Sequence, residues 1–411
     1  MDARLVELAR EFTRLGFTAF GGPAAHLAIM QRELVERRGW VTQQRFVDLI
    51  GLSSLLPGPS STEVALGIGY ERARWRGMFI AGLGFIGPAV LIVLVLAILY
   101  VEVGSLGEGR YLLYGMAPVV VAVIAQALLK LAPAAFTDPA TWLVRIAAFG
   151  LSLLVLQPLL VLVSGALVLV AVRRLPTWLA QRTGSAGLLA MPWADQGGLL
   201  SGATATARTA TATAATASAA TAATAATATV ASMGLAAIFL TFLKIGLVVF
   251  GSGYVLIAFL GAELVDPGFI SQQQLLDAIA IGQLTPGPLF TTATFIGYLL
   301  AGVPGALVAT LGIFLPAIVL VGIAEPWLDR IRANATLSAA IEGLNAAAIG
   351  LIGASILFLA QEALWPEGSF DVLAAALAVA AFLMLVMTRI GPVSLLLGGA
   401  LIGLVVQLAR A

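Results

Sequence analysis

Leu55-Leu56-Pro57-Gly58-Pro59-Ser60-Ser61-Thr62 and Gln283-Leu284-Thr285-Pro286-Gly287-Pro288 are the two stretches from which the architecture can be read. Each sets a Pro-Gly-Pro break inside an otherwise helix-like apolar segment. Proline removes a backbone donor and clashes with the preceding turn, so a regular helix stops there. Around the first break, Val41 to Leu56 leads in and Ser60 to Tyr70 leads out. Each arm is about 12 to 16 residues, or roughly 18 to 24 Å, too short to cross the roughly 30 Å core of a bilayer alone. Arginine flanks both ends, with Arg45 on one side and Arg72, Arg74 and Arg76 on the other. Cytoplasmic ends collect basic residues, so the pattern predicts a re-entrant hairpin in preference to one kinked span.

That these breaks lie in a membrane follows from composition. Of 411 residues, 60% are hydrophobic and only 10% charged, with a mean hydropathy of +1.02; a soluble domain carries about 25% charged residues. Met78 to Val101, Tyr111 to Leu131 and Val303 to Ala324 are runs of spanning length. Trp40, Trp75, Trp142, Trp178, Trp327 and Trp365 stand near the ends of apolar runs, as an interfacial belt would. A net charge of +1 gives no reason to expect nucleic acid as a partner. There is no cysteine and a single histidine, His26. That excludes disulfides, thiolate sites and a histidine-based metal cluster, so no cofactor and no metal is expected. Acidic Asp2, Glu7 and Glu11 precede the first apolar run, and a small-residue cleavage site is missing after it, so a cleavable signal is not predicted.

The breaks belong to a repeat. Phe12, Gly16, Phe20 and Gly21 recur as Phe242, Gly246, Phe250 and Gly251; Asp48 and Pro57-Gly58-Pro59 recur as Asp277 and Pro286-Gly287-Pro288. Gly69-Tyr70, Gly77, Gly84, Pro88 and Gly115 recur as Gly297-Tyr298, Gly305, Gly312, Pro316 and Gly343. Duplication accounts for a register this steady. Between the copies, Ala203 to Thr229 is Ala and Thr apart from Arg208 and Ser218. The organisation predicted is one repeat over 1–182, an Ala/Thr-rich linker or extra helix over 183–233, and a second repeat over 234–411. Charge reverses between the copies. Arg32, Arg37, Arg38 and Arg45 correspond to a loop holding Glu263, Asp266 and Asp277 without Lys or Arg, and Arg72, Arg74 and Arg76 correspond to Leu300, Gly302 and Pro304. The fold class expected is therefore an all-α integral membrane protein of two inverted-topology repeats with broken helices, as in secondary transporters.

Pro59 and Pro288 suit the first position of a half-helix. Such a start presents unpaired amides, those of Ser60, Ser61 and Thr62 in one copy and of Leu289, Phe290 and Thr291 in the other. With the positive end of the helix dipole, they make a site for an anion. The hydroxyls of Ser60, Ser61, Thr62, Thr285, Thr291 and Thr292 either donate to that anion or cap the broken backbone. Gly21, Gly22 and Gly251 form a second matched break that lines the site or serves close packing. Arg14 and Lys244 are matched cations, expected as counter-charges unless they snorkel to the interface. Asp48, Glu63 and Asp277 are the candidates for carrying a coupling proton; Asp48 also stands near enough to Arg45 in sequence to serve only as its partner. His26, after the first Gly-Gly, reads as a histidine packed on a helix.

The runs Leu15 to His26, Glu36-Arg37-Arg38-Gly39-Trp40 and Leu55 to Thr62, with Gln283 to Pro288, resemble the chromate ion transporter family in its long, two-domain form. The resemblance covers both halves and leaves the Ala/Thr stretch outside it. It implies a multi-pass protein of the bacterial inner membrane that exports chromate, with sulfate a related oxyanion. Glu63 stands where glutamine is expected in many relatives. Two other readings compete: an anion channel lined by the same hydroxyls, and an integral-membrane lipid pyrophosphate phosphatase, whose arginine and glutamate cluster find no counterpart here. The oligomeric state stays open, a homodimer among the options.

Overall fold

A computed structural model describes residues 3–20, 22–53, 55–104, 109–131, 139–154, 157–183, 233–250, 253–325, 334–365, 369–388 and 390–410. The expected linker lies outside these apart from its end residues, and so do Gly21 and Gly251 of the expected site. One compact unit comprises residues 1–174 and 232–411; of the second, Leu175–Ala231, the described part is the helical stretch to Thr183.

The described residues are helical, with one isolated bridge between Pro57 and Phe250. In chain order the helices are α1 (Ala3–Thr18), α2 (Gly22–Met30, prolonged by a wider turn over Gln31–Arg37), α3 (Gln43–Ser53), α4 (Ser60–Gly104), α5 (Gly109–Leu131), α6 (Pro139–Leu153) and α7 (Pro158–Thr183). The second repeat follows with α8 (Leu235–Val248), α9 (Val255–Leu260, prolonged over Gly261–Val265), α10 (Gln272–Leu284), α11 (Thr292–Ala324), α12 (Ala335–Leu364), α13 (Val372–Met387) and α14 (Pro392–Arg410). Local sequence accounts for several starts. Ser271 and Gln274 form a reciprocal capping box on α10, and Asp371 accepts the amides of Leu373 and Ala374 at α13.

Four stretches among the described residues are long and apolar enough to cross a membrane: Ser60–Glu102, Leu113–Lys130, Leu289–Ala324 and Thr336–Leu364. On α11, Val303, Leu307, Leu311, Leu315, Val319 and Ile323 are all exposed at a spacing of four. Phe79, Leu83, Leu91, Val95 and Leu99 repeat that stripe on α4. Such a face is at home against acyl chains and nowhere else. The protein is a multi-pass membrane protein.

Both α4 and α11 fold back on themselves at matched positions. Ala73 and Arg74 have φ/ψ of −152°/32° and 51°/−143°, while Ala301 and Gly302 have −152°/32° and 60°/−152°. Arg74 thus holds a backbone conformation that its counterpart meets with glycine. After the reversal, the short arm and the long arm touch through glycines: a methyl group on Gly69 would sit 2.5 Å from the Gly77 carbonyl oxygen.

The first repeat is thereby a pair of hairpins whose open ends meet. Arg38, past α2, pairs with Glu7 (3.2 Å) and Glu11 in α1, and Arg72 pairs with Glu7 (3.0 Å). The guanidinium groups of Arg38 and Arg72 lie over the Trp40 ring, 5.5 and 4.7 Å from its centroid. Arg45, at the start of α3, donates to Glu71 at the end of the short arm (2.5 Å). The Pro-Gly-Pro segment therefore enters and leaves on one side, as its flanking arginines predicted. Arg45 also binds Glu325 at the far end of α11, while Tyr100 at the far end of α4 donates to Asp277 in α10 (2.8 Å). Each hairpin mouth is tied to the end of the other repeat's long helix.

The remaining helices also interlock. Helix α6 packs on α12, and α13 and α14 pack on α5. Gly69→Ala is expected to lower stability by about 2–3 kcal/mol, since the methyl meets backbone on one side and the Ala81 methyl at 2.6 Å on the other. Thermal unfolding of the purified variant in detergent checks this.

Candidate functional site

The two Pro-Gly-Pro loops are crossed with the two α1–α2-type breaks, each copy with the other. The Gly58 N–H donates to the Val249 carbonyl, and the Gly287 N–H donates to the Ala19 carbonyl, both at 2.9 Å. Val249 closes α8 as Ala19 follows α1, so the two bonds are the same contact made twice with the copies exchanged. Gly58 and Gly287 have φ of +143° and +94°, which side-chain-bearing residues rarely adopt. A methyl on Gly287 would lie 2.6 Å from Ala89 Cβ; on Gly58 it would lie 3.1 Å from Ala317 Cβ and 2.8 Å from Glu63 Oε1.

Beyond the first loop α4 begins. Thr62 and Glu63 donate their amides to the Pro59 carbonyl (2.8 and 3.1 Å), and Thr291 donates its amide to Pro288 (3.0 Å). The sequence expectation counted the Thr62 and Thr291 amides as free; the tight first turn takes both. Only the two residues behind each second proline, Ser60 and Ser61 or Leu289 and Phe290, lie too early in their turn for an intrahelical acceptor.

The side chains divide by copy. In the second, Thr285, Thr291 and Thr292 donate their hydroxyls to the carbonyls of Gly282, Pro288 and Leu289 (3.3, 2.9 and 2.8 Å). Those hydrogens are committed to capping, one of the two roles the sequence left open, and the oxygens keep only acceptor capacity. In the first, the Ser61 hydroxyl meets His26 Nδ1 at 3.1 Å. Thr62 Oγ1, both carboxyl oxygens of Glu63 and His26 Nε2 are buried without a hydrogen-bond partner, while Gln283 of the second copy bonds the Tyr254 side chain. Buried polar groups nearly always find partners, so these orphaned atoms make the crossing of the breaks the candidate site.

The matched cations are each paired with carboxylates. Arg14 lies 3.5 Å from Glu11 and 3.6 Å from Glu33, and Lys244 lies 2.6 Å from Glu263. Glu263 corresponds to Glu33, so the pair is duplicated together with the base. Both cations are about half exposed, at 51% and 43%. Among the acids, Glu63 joins the cluster. Asp48 accepts from Gln44 (3.3 Å), and Asp277 accepts from Tyr100 and Gln273 (both 2.8 Å), near the hairpin mouths. Gly22 opens α2 with φ +81°.

Sequence reading set His26 aside as a histidine packed on a helix. Histidine 26 is 1% exposed, stands edge-on to Phe85 (5.7 Å, 86°) and lies beside the Ala19 backbone. Its position just after the Gly-Gly break was the available signal, because that break is the one the second Pro-Gly-Pro crosses.

The profile of the family described as Chromate transporter matches residues 6–170 and 236–404, one match per repeat. The chain is 31% identical to the chromate transport protein of Cupriavidus metallidurans over 405 residues, 98% of this chain and 93% of that protein. It is 31% identical to a probable chromate transport protein of Synechococcus elongatus over 366 residues, 88% and 86% of the two chains. A chromate transport protein of Pseudomonas aeruginosa is 29% identical over 356 residues, 86% and 81% of the two. No solved structure matches the chain. With both repeats matched and the alignment running nearly end to end, the chain belongs to the chromate transporter family, whose members are transporters and not enzymes.

Proposed function

We propose that the protein is a secondary transporter that exports chromate, or a related tetrahedral oxyanion such as sulfate, across the bacterial inner membrane, holding the anion where the two breaks cross. The observation that carries this is the set of orphaned polar atoms on the crossed breaks, at Thr62, Glu63 and His26. The early amides and the positive end of the α4 dipole favour an anion there. The residues assigned to it are Gly21, Gly22, Pro57 to Thr62, Gly251, Thr285 to Pro288, Thr291 and Thr292. An inside-negative potential drives a dianion outward by about 5 kcal/mol per ~100 mV, in keeping with export.

The test is chromate and sulfate flux into inside-out vesicles, with and without a proton gradient. Saturable flux is expected, and flux that never saturates would make the protein a channel. Of the acids, Glu63 is the one placed to carry a coupling proton, being buried beside the first break without a counter-charge. In Glu63→Gln the flux is expected to lose its response to the proton gradient; an unchanged response removes Glu63 from coupling.

Arg14 and Lys244 are assigned as flanking cations shared with Glu33 and Glu263. An exposed paired charge contributes at most about 1 kcal/mol, so Arg14→Ala and Lys244→Ala are each expected to weaken oxyanion affinity by less than ~10-fold. Sulfate affinity of the purified variants measures it. A larger loss would make either residue a direct ligand.

We also propose that the repeats are inverted in the membrane. What supports this is the course of α4 after its reversal. From Arg74, next to the Arg45–Glu71 mouth, to Tyr100, at Asp277, it covers roughly 39 Å and links the mouths of the two Pro-Gly-Pro hairpins. Cysteines introduced as Arg38→Cys and Asp266→Cys are expected to react with impermeant reagent from opposite sides. Labelling from the same side refutes inversion.

A further inference from the structure

We propose that His26 is the protonatable counter-charge of the anion site: its imidazole takes a proton from water as the tetrahedral dianion arrives and returns it when the anion leaves. The proposal rests on the transport reading above and names the cation that this reading lacks.

A dianion within the bilayer needs positive charge, since amides and hydroxyls supply only partial charges. The bases that recur in both copies are already engaged, Arg14 by Glu11 and Glu33 and Lys244 by Glu263. Histidine 26 is the chain's one histidine, and three segments meet around it. Its Nδ1 is 3.1 Å from Ser61 Oγ in the first turn of α4. Its ring stands edge-on to Phe85 of the long arm of α4. It is hydrogen-bonded to the backbone of Ala19, the residue whose carbonyl accepts the Gly287 N–H of the other copy. Its Nε2 is buried and has no partner. Buried polar atoms ordinarily find partners, so an unpartnered ring nitrogen at the crossing of the breaks is available to a ligand.

The charged groups around it leave the role open to an anion. Glu11 on α1 is held by Arg14 and Arg38, and Glu33 at the end of α2 by Arg14 and Arg37. On α4, Glu63 is two residues beyond Ser61 and turns toward Gly58 and the second copy. Residues 283–292 of the second break contain no titratable side chain. An imidazolium buried without a counter-anion is costly, and a bound dianion removes that cost. Anion and proton therefore bind together.

The chain's single histidine makes the test direct. In isotope-labelled protein one imidazole signal reports its own protonation by NMR, with no mutation needed. Bound sulfate, a dianion throughout the range, is expected to raise the pH at which that signal titrates by about one unit, a tenfold linkage. Chromate, which itself takes up a proton in this range, is the second probe. In parallel, oxyanion affinity of the wild type is expected to rise as pH falls through the range in which that signal titrates, and His26→Gln is expected to lose most of that rise while keeping a hydrogen-bonding group beside Ser61. An imidazole titration unmoved by a bound oxyanion overturns the proposal, as does a pH dependence that survives in His26→Gln. Wild-type protein that binds neither oxyanion at any pH overturns the transport reading itself, and with it this one.

Discussion

A bilayer core offers no water to a backbone amide, and the molecule is organised around meeting that constraint at four places where its helices stop. The Gly58–Val249 and Gly287–Ala19 hydrogen bonds meet it by letting each copy of the repeat satisfy the other's broken backbone. Both bonds require glycine at positive φ, and both bring the loop close enough to the opposite copy that a methyl would touch Ala89 or Ala317. Neither hairpin completes its own backbone. The two copies are therefore one folding unit, and the interlocking of α6 with α12 and of α5 with α13 and α14 extends the same dependence outward.

Charge is distributed by the same logic. Arginines gather at the hairpin mouths, where Arg38, Arg45 and Arg72 find Glu7, Glu11, Glu71 and Glu325. At the breaks, by contrast, polar atoms are left without partners. Leaving a buried donor or acceptor unsatisfied costs about 1–3 kcal/mol each. The second copy spends its threonine hydroxyls on capping while the first keeps Thr62, Glu63 and His26 open. Duplication supplied the frame, and divergence put the polar chemistry in the first copy.

Much of the fold was legible in the sequence because proline, glycine and arginine act locally. Pro-Gly-Pro stops a helix wherever it stands, and arginines on both sides of it imply a segment that turns back. The Arg45–Glu71 contact bears that out. The site was legible only in part. The residues at the breaks were named, yet the Thr62 and Thr291 amides close their own first turns, and the pairing of Arg14 with Glu33 and of Lys244 with Glu263 was not visible. Each of those pairs spans 19 residues and two helices, and residue spacing says nothing about how a broken helix folds back.

What the sequence by itself determined is a duplicated, broken-helix membrane protein whose motifs place it in its family, because repeat register, hydropathy and helix-stopping residues are properties of a chain read in order. What only the tertiary structure decided is which polar groups are spoken for and which are free. His26 looks like an ordinary core histidine until the start of α4 is brought against it, beside the Ala19 carbonyl that the other copy's Gly287 also meets. Whether a polar atom is satisfied depends on partners from distant segments, and in a medium without water that question is settled by packing alone.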